Sequence, residues 1–272
     1  MSIDQNFVND LLDVGKPKID EADETLALLL SRIGDVTEQS NKLNVMLYGH
    51  PGVGKTVWAA TSPSWLLVNV EKGAGVLKGH PELIGPNCDS LEYKSLVQLE
   101  KLLDYMLKDH EAFKKYETVI IDSYSELQKR DLDEIVTTEA RKDGNRNKYL
   151  PIGPDYNVNT EHMRQLAMKL RDIDKHVIVI CHVKEEKDDN SGRIMVRPNL
   201  TPKLASSMAG IFDVVAYLQR TEGPDNKSVR TLQVHPTPSV LAKTRISSLP
   251  PVLENATFNT LLDAYNTTTE GA

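Results

Sequence analysis

Gly49-His50-Pro51-Gly52-Val53-Gly54-Lys55-Thr56 separates an apolar run at residues 43–48 from a stretch of helical character, and it fits G-x-x-x-x-G-K-[ST] at every fixed position. The chemistry behind the pattern is specific. Glycines let the backbone wrap into a concave nest whose N–H groups point at phosphate oxygens, and the N-terminus of the following helix adds its dipole. Lys55 can then reach β- and γ-phosphates, and the Thr56 hydroxyl can ligate Mg²⁺. All eight residues, Gly49, His50, Pro51, Gly52, Val53, Gly54, Lys55 and Thr56, therefore form the expected binding segment for ATP and Mg²⁺.

Outward from the loop, apolar strand candidates at 43–48, 65–70, 119–121, 177–181 and 212–218 alternate with helical periodicity. Leu96, Leu99, Leu103 and Met106 recur at three- and four-residue steps, as do Met163, Leu166 and Leu170. Such alternation predicts an α/β fold, a mostly parallel twisted sheet flanked by helices. Segments 229–234 and 240–244 flank Pro236 and Pro238 and predict a C-terminal antiparallel hairpin, with a short helix at 258–265 after it. The expected organisation is an N-terminal helical arm at 1–40, a candidate subunit contact, and an ATPase domain at 41–272.

Thr118-Val119-Ile120-Ile121-Asp122-Ser123 ends an apolar strand in a carboxylate, the place for a metal-organising Asp122. Chains of the AAA+ class usually carry the catalytic Glu directly after that Asp, whereas Ser123 follows here. A water-activating carboxylate must then come from elsewhere. Glu71 closes the apolar run 65–70 and opens Lys72-Gly73-Ala74-Gly75, a turn able to present it to the γ-phosphate.

Five features in order resemble the RecA-like ATPases, and more narrowly the compact phage-encoded ones associated with recombination and single-strand annealing. They are the phosphate loop, Val68-Asn69-Val70-Glu71, Ile120-Ile121-Asp122-Ser123, Val177-Ile178-Val179-Ile180-Cys181-His182 and Ala242-Lys243-Thr244-Arg245, spanning about residues 40–250. The resemblance implies a RecA-like P-loop core. It also implies a γ-phosphate-sensing role for His182, where many relatives carry Gln. Lys243 and Arg245, on one face of a short strand, would reach across a subunit boundary as trans-acting fingers. The implied partners are single-stranded DNA, further copies of the chain in a ring or filament, and a single-strand-binding protein.

Composition constrains this picture. The 272 residues are 40% hydrophobic and 26% charged, enough to bury a full core, and the formal charge of −7 excludes a wholly basic nucleic-acid coat. Cys88 and Cys181 lack metal-ligand spacing and suit a reducing cytoplasm, a host's if the chain is phage-encoded. Neither a membrane span nor a signal peptide is expected from the sequence. Two segments could contact nucleic acid. One holds Lys184, Lys187, Arg193, Arg197 and Lys203, with a turn at Asn190-Ser191-Gly192 that predicts a projecting hairpin but a net charge of only +1 over 183–203. The other holds Arg141, Lys142, Arg146 and Lys148 beside Tyr149, at +3 over 141–149. A DnaB-like helicase, a nuclease-associated DNA-processing ATPase and a small-molecule kinase use the same loop. A kinase would need an acceptor pocket and a basic lid, and a nuclease would need clustered carboxylates for two metals.

Overall fold

The structure, a computed structural model, describes residue 26 and residues 42–189, 191–222 and 228–270. The expected arm at 1–40 lies, Leu26 apart, outside these residues. Residues 42–272 make one compact unit, the one described below.

Its centre is a sheet in the order β10-β8-β7-β1-β5-β4-β2-β3, with β6 paired to β5 and β9 to β7. The strands are β1 Asn44–Gly49, β2 Trp65–Asn69, β3 Asp89–Glu92, β4 Thr118–Asp122, β5 His176–Lys187, β6 Ile194–Pro198, β7 Val214–Glu222, β8 Ser228–Gln233, β9 Lys243–Thr244 and β10 Val252–Glu254. Strands β3, β2, β4, β5, β1 and β7 run parallel, and β6, β8, β9 and β10 add antiparallel pairs. The helices are α1 Lys55–Ala59, α2 Leu96–Leu107, α3 Tyr124–Lys142, α4 Gly153–Asp172, α5 Pro202–Ile211 and α6 Phe258–Glu270.

Continuous apolar runs form β1 and β4 because both sheet faces are covered. Alternation sends Met46, Tyr48, Val119, Ile121, Val177 and Val179 to one face, against Leu103 of α2, Leu127 of α3, Leu166 of α4 and Met208 of α5. Val45, Leu47, Ile120, Ile178 and Ile180 go to the other, against Val57 and Trp58 of α1 and Phe258 and Leu261 of α6. Among the described residues no helix is long and apolar enough to cross a membrane.

The expected hairpin between 229–234 and 240–244 does not form. β8 instead pairs with β7 and β10, and only Lys243 and Thr244 of the later segment are strand, paired to Val215 and Val214 at the start of β7. The physical reason lies between them: Tyr48 Oη donates to Leu241 O at 2.7 Å, and the amides of Val196 and Leu241 exchange bonds with Ser239 O and Val196 O, so 239–241 is drawn to β6. The expected turn before β6 does produce a hairpin, β5 continuing past the core to Lys187 and pairing back with β6. Asn190 lies outside the described residues.

Strand order gathers the site. β5 lies between β1 and β4, so the phosphate loop and Asp122 leave the carboxyl ends of β1 and β4 on either side of β5, whose His182 is level with Gly49, and Glu71 lies just beyond the end of β2. That edge is where open α/β sheets bind ligands. Gly49 is required there, because a Cβ would sit 2.2 Å from the Leu218 carbonyl oxygen of β7.

Candidate functional site

Gly52 and Gly54, with φ of 79° and 96°, turn the loop between β1 and α1. α1 is only five residues long, so the loop's own N–H groups outweigh the helix dipole expected from sequence. Lys55 folds back over the loop, its Nζ donating to Gly49 O at 2.8 Å and His50 O at 2.9 Å. Burial pushes this ammonium below its ordinary value, against the opposing pull of Asp122 and Glu71. A half-desolvated cation inside a ring of N–H donors is a strong attractor for phosphate.

Thr56 Oγ1 donates to Asp122 Oδ2 at 2.7 Å. Burial raises the Asp122 carboxyl, and the Thr56 hydrogen bond works the other way. Two hard oxygens this close, one hydroxyl and one carboxylate, fit Mg²⁺, which takes one or two carboxylates plus substrate phosphates rather than an all-protein cage. Consistent with that limited demand, no group of three His, Cys, Asp or Glu side chains could hold a metal among the described residues.

The third group surrounds Glu71. Backbone bonds from Val70 N and Glu71 N to Asp122 O, at 2.7 and 3.3 Å, fasten the end of β2 to the end of β4. The carboxylate then receives hydrogen bonds from Ser123 Oγ and, at 2.7 Å, from His182 Nε2. The His182 bond holds Glu71 below its ordinary carboxyl value, and the same bond raises the imidazole. Ser123 also caps α3, its Oγ accepting from Glu126 N at 3.2 Å, and Ser125 Oγ accepts from His182 N at 3.1 Å. The position after Asp122 thus serves by orienting a carboxylate from the neighbouring strand. Sequence reasoning passed over that role for Ser123, although a Ser opening a helix with Glu three residues later is a capping signal.

Residues 41–246 match the AAA domain family. The chain belongs to the AAA domain family. No curated protein matches it. As an AAA domain with an intact phosphate loop, it is a P-loop ATPase by family, and its Ser123 and strand-end Glu71 show how this member arranges its carboxylates.

Other expected site residues are placed apart. Lys243 and Arg245 do share a direction, but toward the end of α5: Lys243 Nζ donates to Ala209 O at 2.7 Å and Phe212 O at 2.9 Å, and Arg245 to Asp213 Oδ1 at 2.8 Å and Gly210 O at 3.1 Å. Their strand pairs with Val214 and Val215, which lie beside Val45 and Met46 at the start of β1. The pair is therefore about 13 Å of strand away from the phosphate loop of its own chain.

Arg146 is engaged within the chain. Its guanidinium is held by Asp155, with Glu139 at 3.9 Å, and is largely buried. Lys142 pairs with Glu139 at 2.7 Å, leaving Arg141 in the last turn of α3, and Lys148 and the exposed Tyr149 on the loop beyond it. Nineteen helical residues, about 28 Å, separate that loop from Ser123. The β5–β6 hairpin is nearer the site. Lys184, Lys187, Arg193 and Arg197 are exposed on it, Lys203 is exposed on α5, and Lys184 lies opposite Arg197 while pairing with Glu186. His50 of the phosphate loop reaches Glu185 of this hairpin at 2.9 Å.

Proposed function

We propose that this AAA domain is a Mg²⁺-dependent ATPase of the RecA-like recombination and annealing type, working on single-stranded DNA. The observation that carries the reading is the Glu71 carboxylate, held by His182 and Ser123 next to the Thr56–Asp122 pair. The phosphate loop binds the triphosphate and Lys55 turns from the loop carbonyls to its β- and γ-oxygens. Thr56 and Asp122 would hold Mg²⁺, which would supply charge neutralisation at the triphosphate. Glu71, kept ionised, orients the attacking water and takes its proton as the bond to the γ-phosphorus forms and the β,γ-bridging bond breaks. His182, donating to Glu71 before nucleotide arrives, is placed to turn its N–H to the γ-phosphate.

Chain continuity supports coupling to DNA. β5 runs without a break from His182 into the hairpin bearing Lys184, Lys187, Arg193 and Arg197, and His50 ties the phosphate loop to Glu185 of that hairpin. Nucleotide state and hairpin position therefore share two mechanical links. In this reading the chain acts in the cytoplasm, in a host cell if phage-encoded, as a homo-oligomer on single strands, with residues 1–40 as a subunit contact and a single-strand-binding protein as neighbour. Measuring ATP turnover alone and with single-stranded DNA, duplex DNA and RNA tests it. Stimulation by single-stranded DNA is expected, and equal turnover in all four conditions would refute the coupling.

A further inference from the structure

Arg230 sits in β8, a polar strand whose sequence gives no phosphate-binding signal. Alternation puts its side chain on the same face as Leu232 and Val234, the face packed against Val57 and Trp58 of α1. Its backbone is fixed on both sides, its N–H donating to Asn255 Oδ1 at 3.3 Å and its carbonyl accepting from Asn255 N at 2.7 Å. From there the guanidinium reaches the phosphate loop. A Cβ placed on Gly54 would lie 3.2 Å from Arg230 Nη1 and 3.8 Å from its Cδ.

No carboxylate answers this cation among the described residues, although other arginines at part-buried positions, Arg146 and Arg130, are paired with Asp155 and Glu126. A half-buried guanidinium without an anionic partner among the described residues, lying on a loop shaped for anions, is arranged for a ligand that brings the charge. A cavity of about 260 Å³ opens beside it along α1, lined by Val57, Trp58, His80, Arg230, Asn255 and a Glu82 that pairs with His80.

Resting on the phosphate-loop reading above, we infer that Arg230 is a nucleotide-binding residue acting within its own chain, donating its N–H groups to the α,β-phosphate portion of the bound nucleotide. It holds that portion against Gly54 while Lys55 serves the γ end. Gly54 is favoured there by its φ of 96°, and its missing side chain leaves the guanidinium close to the loop.

Calorimetric titration of the full chain with Mg-ATP, Mg-ADP and inorganic phosphate, for wild type, Arg230→Ala, Arg230→Lys and Lys55→Ala, tests the assignment. Arg230→Ala should weaken ATP and ADP alike, by about 10- to 100-fold for lost charge-assisted bonds. Arg230→Lys should recover part of that loss, and inorganic phosphate alone should bind far more weakly than ADP to every variant. Should Arg230→Ala fail to fold, Arg230→Gln carries the same expectation. Unchanged ATP and ADP binding in Arg230→Ala, with binding lost in Lys55→Ala, would overturn the role of Arg230 and leave the phosphate loop standing. A loss for ATP with ADP unaffected would overturn the α,β assignment. Failure of the wild type to bind either nucleotide would sink the underlying reading and this one with it.

Discussion

Replacing Lys243 with alanine separates two accounts of the same residue. Its Nζ closes two carbonyls at the end of α5, Ala209 O and Phe212 O, at 2.7 and 2.9 Å. Hydrogen bonds to charged groups contribute about 1.5–3 kcal/mol, but water can replace part of this at a half-buried position, so Lys243→Ala should cost about 1–2 kcal/mol. For a chain of this size that is a fall in Tm of about 2–8 °C. Arg245→Ala should cost less, about 1 kcal/mol, because the guanidinium is largely exposed and Asp213 keeps its bond from Asn44 N at 3.0 Å. The assay pairs thermal melts of both variants with ATP turnover well below the melting range. Turnover within about twofold of wild type is expected, since truncation away from reacting groups changes stability rather than chemistry. Unchanged melting with a tenfold loss of turnover and intact ATP binding would refute the structural role and favour the trans-acting one.

Glu71→Gln should keep ATP binding and lower turnover by about 10²- to 10⁴-fold, the usual contribution of a general base, and turnover near wild type in single-turnover experiments would place the base elsewhere. The His182 imidazole should titrate above its ordinary 6.5, chiefly through its bond to Glu71, with Asp122 adding to and Lys55 opposing the shift. Its stabilising contribution is present below 6.5 and fades as pH rises through the raised value. That of Glu71, held below its ordinary 4.5, is present above 4.5 and fades as pH falls through the lowered value. NMR titration should show the imidazole moving back toward 6.5 in Glu71→Gln, and an unmoved titration would break the link between the two groups.

What the sequence revealed was what short-range pattern encodes. The phosphate loop, the buried strands around Val119 and Val177, and the carboxylates Asp122 and Glu71 are local signals, and parallel topology then brings them to one edge. Strand partnership was not local. Residues 240–244 read as a mate for β8, yet contacts of Tyr48 Oη and the Val196 backbone with 239–241 decided their place. β3 is short and polar and β10 only three residues long, so neither carries the apolar run that marks a buried strand. Arg146 read as a free cation because its partner Asp155 lies beyond an intervening loop, and nothing in β8 announces the fold of Gly54 against Arg230.

Phosphate release from Mg-ATP by the folded full chain, wild type beside Lys55→Ala, tests the central claim most directly. The arrangement of Lys55 inside the loop, with Thr56, Asp122 and Glu71 at the same edge, predicts measurable hydrolysis by wild type. Lys55→Ala should lose about 100-fold or more of it, because a preorganised charge at the developing phosphate is removed while the fold persists. Turnover at the wild-type level in a folded Lys55→Ala protein, or none in wild type with any nucleic acid added, would contradict it.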